Sequence, residues 1–183
     1  MLSTIPKRAL ACILWATTAG AGAGLAQEPE DQLKAAVVLS FLRYGDWNAA
    51  LAPDGSVTVG VLGRASFADT LRKSLEGKTA NDHPVHVVDL KTMAVPAGYA
   101  IVYFAEDKEL DTKAALQNAA AHVLTIGESK DFLDWGGAVR LFVLDGHIAF
   151  EFSLATLARC GVNISSRLLR FGQIRNPKKG DRL

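Results

Sequence analysis

Cysteine is scarce in this sequence, with two in 183 residues, and Cys12 lies in an N-terminal stretch that reads as removable. Cys160 then stands alone, which excludes an intrachain disulfide even in an oxidising compartment. Placed on a short helix before Gly161, it reads as a small core residue and not as a reactive thiol. Charge of one sign is also missing, since 20 basic residues face 19 acidic ones. Such a balance gives no electrostatic footprint for nucleic acid. No apolar run reaches the roughly 20 residues a transmembrane helix needs. Motifs that carry chemistry are absent too. No serine lies in G-x-S-x-G, and the glycine turns fall short of both the Walker loop and the full G-x-G-x-x-G. No carboxylate pair or Cys-His combination can be assembled from spacing. His83 and His86 flank Pro84-Val85 without a clear third ligand, which makes a poor metal site. The expectation is a binding protein and not an enzyme, with no catalytic residue, no metal and no cofactor.

What is present begins with a leader. Lys7 and Arg8 precede an apolar run from Ala9 to Ala19, and Gly24-Leu25-Ala26 offers a signal-peptidase site before Gln27. Residues 1–26 are expected to be a cleaved signal peptide, so the mature protein is expected to be exported. Its removal takes two basic residues and no acidic one, leaving 18 against 19 and a net charge of −1. Residues 27–32 read as an acidic leader, 33–175 as a single α/β domain of ordinary size, and 176–183 as a flexible basic tail. Contact with a membrane is expected only through a partner.

Along the domain, Leu33, Ala36, Val37, Phe41 and Tyr44 fall at helical spacing and Gly45 ends the helix. Val57 to Leu62 reads as a strand, followed by a Gly63-Arg64-Ala65-Ser66 turn and a helix carrying Phe67, Leu71 and Leu75. Val85 to Leu90 and Tyr99 to Phe104 are further strands. Asp111 to Ala121 reads as a helix running directly into strand Val123 to Ile126, and a short helix is expected after Ser129. Asp145-Gly146 joins Val139–Leu144 to His147–Phe152 as an antiparallel hairpin. Ser153 and Gly161 read as the caps of a two-turn helix. The pattern predicts a three-layer α/β sandwich: a mostly parallel mixed sheet with helices on both faces, ending in a hairpin and short helices.

Two groups of residues are candidates for function. Strand ends that open onto helix N-termini can hold a small anion or nucleotide, which singles out Gly63, Arg64, Ser66, Gly127 and Ser129. The same serines could simply be helix caps. The second group lies beyond the hairpin. Glu151, between Phe150 and Phe152, precedes an apolar series containing Ile164, Leu168, Leu169 and Phe171. Glu151 reads either as part of a solvated strand face or, with those residues, as a contact surface for a protein partner.

Several stretches in order resemble the YfiR/HmsC family of periplasmic proteins. They are Lys34-Ala35-Ala36 with Phe41 and Tyr44-Gly45-Asp46-Trp47, then Val59-Gly60-Val61-Leu62-Gly63 with Phe67, then Leu75-Glu76-Gly77-Lys78. Leu124-Thr125-Ile126-Gly127-Glu128-Ser129 with Gly136-Gly137 comes next, and FEF followed by LATLARCGVNISSRLLR completes the series. The resemblance covers roughly residues 33–175. It implies a regulator that binds the periplasmic region of an inner-membrane diguanylate cyclase of the YfiN type and holds it inactive. Cyclic di-GMP, exopolysaccharide and biofilm would fall as a result. It also implies self-association as a homodimer. Glu151, Ile164, Leu168, Leu169 and Phe171 are the residues expected to meet the cyclase. The alternative from another class is a periplasmic small-ligand receptor that uses the strand-end glycine turns.

Overall fold

The computed structural model describes residues 22–105 and 109–175. They form α1 (Gly22–Tyr44), β1 (Gly45–Asp46), β2 (Val57–Leu62), α2 (Ala65–Leu75), β3 (Thr79–Ala80) and β4 (His83–Leu90). β5 (Ile101–Phe104), α3 (Glu109–Gln117), β6 (Leu124–Gly127), β7 (Val139–Leu144) and β8 (His147–Phe152) follow. The chain closes with α4 (Leu154–Cys160), β9 (Asn163–Ile164), α5 (Ser166–Leu169) and β10 (Gln173–Ile174).

β5 and β6 are buried along their whole length and β2 nearly so, as strands must be when both sheet faces are covered. They form the parallel middle of an eight-stranded sheet ordered β10-β8-β7-β6-β5-β2-β4-β3. β7 and β8 pair antiparallel around Asp145-Gly146, both at positive φ as a type I′ turn requires. β10 returns parallel to β8 and forms one edge. The architecture is the expected α/β sandwich.

Alternation along the strands divides the core in two. Val57, Val59, Val61, Ile101, Tyr103 and Ile126 face a layer that includes Phe41 of α1 and Leu71 of α2. Leu62, Val102 and Phe104 face the opposite layer, with Leu116 of α3 and Phe132. α1 packs on α2, β8 and α5.

The junction after α1 explains the Tyr44-Gly45-Asp46-Trp47 sequence. The Trp47 ring folds back onto Gly45, where a Cβ would lie 2.3 Å from it, and its Nε1 donates to Leu42 O at 2.8 Å. Gly45 and Asp46 then pair antiparallel with Ile164 and Asn163 as the two-stranded sheet β1-β9. Ser165 N donates to Tyr44 O at 2.8 Å. Trp47 is therefore core and not surface.

The structure differs from expectation in three places. Residues 27–32, expected as a leader outside the domain, lie within α1, and Asp31 is buried. An arginine on another element draws that carboxylate inward, which a local reading could not show. The stretch after Ser129 is a series of turns and not a helix, because Gly136 and Gly137 follow too soon for a helix to continue. α3 ends at Gln117, and the chain reaches β6 through a turn in which His122 takes positive φ. Residues 1–21 of the expected signal peptide and residues 176–183, expected as a basic tail, lie outside the described residues.

Gly127 and Gly137 clasp the Phe132 ring. A Cβ would lie 2.4 Å from the ring at Gly127 and 2.2 Å from it at Gly137, where Phe132 O also stands 2.8 Å away. Gly137→Ala is expected to cost about 1–3 kcal/mol through overpacking. Urea unfolding should show a lower midpoint at unchanged slope.

Candidate functional site

At the carboxyl ends of β2, β5 and β6, where open α/β sheets present ligand sites, the sequence places Arg64, Tyr103 and Glu128. α1 lays Glu30, Asp31 and Lys34 across the same edge. Lys34 is 2% exposed, and its Nζ lies 2.6 Å from both Glu30 Oε1 and Glu128 Oε2. Arg64 Nη2 reaches Asp31 Oδ1 at 2.8 Å and stands 3.9 Å from Glu128 Oε1. Its guanidinium lies over the Phe67 ring, 5.3 Å from the centroid. Tyr103 Oη donates to Glu128 Oε1 at 2.7 Å. Burial and then the adjacent Glu128 carboxylate push the Tyr103 phenol well above its ordinary range, so it stays a neutral donor. Burial pulls the Lys34 ammonium down, but its bonds to Glu128 and Glu30 outweigh this and its pKa is raised.

A second network continues along the sheet. Arg140 lies opposite Glu151 in the β7-β8 pair, and its Nη1 is 3.0 Å from Glu151 Oε1. Arg175 approaches the same oxygen at 3.0 Å from the β10 side and also holds Asp134 Oδ2 at 2.7 Å and Lys130 O at 2.8 Å. A weaker bond of 3.4 Å from Arg140 Nε to Glu128 O joins the two networks. One seam of charges thus runs from the N-terminal half of α1 to the last strand.

Of the strand-end candidates, Arg64 and Gly127 lie beside this seam. An anion would meet there a guanidinium already facing two carboxylates. The space beside Gly127 is filled by Phe132. Gly63 takes positive φ, and Ser66 lies inside α2, whose N-cap residue is Arg64 with no side-chain cap bond. Ser129 O accepts from Phe132 N in the turn that follows. His83 Nδ1 is engaged with Gly55 O at 2.9 Å. Among the described residues no group of three or more His, Cys, Asp or Glu side chains could hold a metal ion.

The C-terminal candidates divide by exposure. Glu151 is 9% exposed, so its place is inside the arginine pair and not on a solvated face. Leu168 is buried, while Ile164 and Leu169 are half-buried against the core. Phe171 is 80% exposed and Ile174, on β10, 60%. Ser153 and Gly161 cap α4 as expected, with Ser153 Oγ accepting from Thr156 N at 3.2 Å and Gly161 at φ 70°. Burial pushes the half-buried Cys160 thiol up, which suits an inert core neighbour.

Sequence reasoning missed Lys34, Tyr103 and Glu128 as a group, and missed Arg140 and Arg175 as the partners of Glu151, with Asp134 as the second acceptor of Arg175. Two local signals existed. Glu30 and Lys34 stand four apart on a helix, and Tyr103 is the one hydroxyl in the otherwise apolar strand Ile101–Phe104. A buried phenol needs an acceptor.

No described helix is long and apolar enough to cross a membrane. A search of curated proteins finds no match to the chain. The YfiR/HmsC-like family model matches residues 31–173, from the buried Asp31 of α1 to the first residue of β10. The chain therefore belongs to the YfiR/HmsC-like family of periplasmic regulators.

Proposed function

We propose that this protein represses an inner-membrane diguanylate cyclase of the YfiN type by binding its periplasmic region, lowering cyclic di-GMP and with it biofilm and exopolysaccharide output. The family match over residues 31–173 carries this reading. Repression by binding requires that the cyclase's inactive state hold the protein more tightly than its active state, because equal affinity would shift nothing. An exposed apolar group on a rigid frame suits such a contact. Phe171 and Ile174 supply the apolar contact, with Ile164 and Leu169 at its flank. Glu151 and Leu168 act from beneath, fixing the strand and helix that carry them.

The test is co-purification with the periplasmic domain of a diguanylate cyclase encoded beside it, with cyclic di-GMP read in the same cells. The wild-type protein is expected to form a stable complex and lower cyclic di-GMP. Phe171→Asp should weaken the complex roughly tenfold or more, as loss of an aromatic anchor does, and raise cyclic di-GMP. Its melting temperature should stay that of the wild type, since the ring touches little of the core. Unchanged binding would remove Phe171 from the contact, and the absence of any complex would overturn the repressor reading.

A further inference from the structure

The other end of the sheet is open in a different way. β4 pairs with β2 along Val85–Leu90 on one side. On the other, β3 covers only His83 and Pro84. Alternate backbone N–H and C=O groups from 85 to 90 therefore face outward with no strand partner among the described residues. Natural edges of this kind are usually blunted by lysine, proline or a covering loop. Pro84 guards the start of β4 and Asp89, ion-paired to Lys91, its end. The stretch between has neither device, and Val88 is 36% exposed on it.

A groove of about 480 Å³ runs beside this edge on the α2 side, with Val85 and Val87 along its floor. Arg72, Lys73 and Lys78 stand over it, against Glu76 alone on the acidic side. Arg72 is occupied by Asp69, but Lys73 and Lys78 are exposed and have no ion-pair partner among the described residues. Among the described residues, the rim is thus a pair of unpaired cations next to a row of backbone groups with no strand partner.

We propose that the β4 edge is a second interaction surface, which adds a strand from an acidic, extended segment of a partner protein. Backbone hydrogen bonds to residues 85–90 supply sequence-independent affinity. Specificity comes from the two-residue period of a strand. Side chains on one face of the added strand project over α2 toward Lys73 and Lys78 and are carboxylates. Those on the other face lie beside Val88 and are apolar. The surface is separate from the one around Phe171, because β4 and β10 lie toward opposite ends of the sheet.

The probes are eight-residue synthetic peptides alternating valine or isoleucine with glutamate, aspartate, glutamine or lysine, titrated into the whole protein. Backbone hydrogen exchange is followed in parallel. The acidic peptides are expected to bind and to slow exchange within residues 85–90, the lysine peptides to do neither, and added salt to weaken the complex. Lys73→Glu with Lys78→Glu should weaken acidic-peptide binding roughly tenfold or more, through reversed electrostatic complementarity. Val88→Lys, which places a guarding charge on the edge and leaves both lysines intact, should also abolish the protection. Equal binding of acidic and basic peptides, protection elsewhere, or no binding at millimolar peptide would overturn the proposal. So would protection of 85–90 that rises with protein concentration alone, which would make the occupant a second copy of the chain.

Discussion

Lys34→Met is expected to lower the thermal midpoint by roughly 10 °C, the effect of removing one partner from a buried ion pair, about 3–5 kcal/mol, in a domain of this size. Lys34 is the near-fully buried cation between Glu30 and Glu128. Without it, Glu30 and Glu128 lose the cation they share, while Arg64 stays paired with Asp31. Methionine keeps the length and the apolar stem, so the loss reports charge and hydrogen bonding and not a cavity. Adding Glu128→Gln to Lys34→Met should recover part of the loss, because the stranded carboxylate is then gone. A double variant no more stable than the single one would mean that Lys34 acts through packing.

The pH dependence has a definite sign. Lys34 holds its proton more tightly when folded, so its contribution is complete below the ordinary lysine value of 10.5 and is lost as pH rises through the folded value. Tyr103 adds to the same alkaline loss. Its phenol stays neutral in the fold while the unfolded chain ionises near 10.0. Lys34→Met should therefore flatten, but not remove, the fall in thermal midpoint above pH 10. Part of what remains belongs to Tyr103 and should shrink in Tyr103→Phe, with the raised Cys160 thiol contributing in the same direction.

Glu151→Ala has the second large effect expected, and it reaches function. Glu151 is shared by Arg140 and Arg175, so alanine removes the carboxylate that the two guanidinium groups hold between them, while Arg175 keeps its bonds to Asp134 and Lys130 O. A stability loss of about 2–4 kcal/mol follows from the stranded charges. The damage is directional, because Arg175 is also tied through its backbone N to Phe152 O, at the end of the β10-β8 pair. β10 should detach first, seen as faster hydrogen exchange at Ile174 than in β5 or β6. Under the proposed function, cyclase binding and repression should fail with it. If Glu151→Ala abolished binding while Phe171→Asp left it intact, the contact surface would lie nearer the arginine pair than the exposed ring. Glu151→Gln, which keeps an acceptor, should retain more of both binding and stability.

Local chemistry made much of the fold legible. Asp145-Gly146 announced the hairpin, Ser153 and Gly161 bounded α4, and the glycine after Tyr44 marked the end of α1. Each signal is complete within a few residues. The site was less legible, because its parts come from elements far apart in sequence. Glu128 follows directly after Gly127, and the glycine drew notice as a possible anion cradle while its acidic neighbour did not. The sequence also suggested a charged face at Glu151, but it could not show that Arg140 and Arg175 enclose it. That depends on β10, a strand too short to have any periodicity of its own. The leader was misjudged for a similar reason: Asp31 reads as solvated until Arg64 arrives from the end of β2.

The pairing of β1 with β9 joins the end of the first helix to a segment near the end of the domain. Doubling the length of a flexible loop adds only about 0.6 kcal/mol to the entropy of closing it. Even so, no contact rewards that closure until both strands exist. The order of folding is constrained accordingly. The parallel middle of the sheet can assemble from segments that follow one another closely, while α1 gains its anchor only when residues 163–165 have arrived. The layer that covers one face of the sheet is therefore sealed by some of the last residues of the domain to be synthesised.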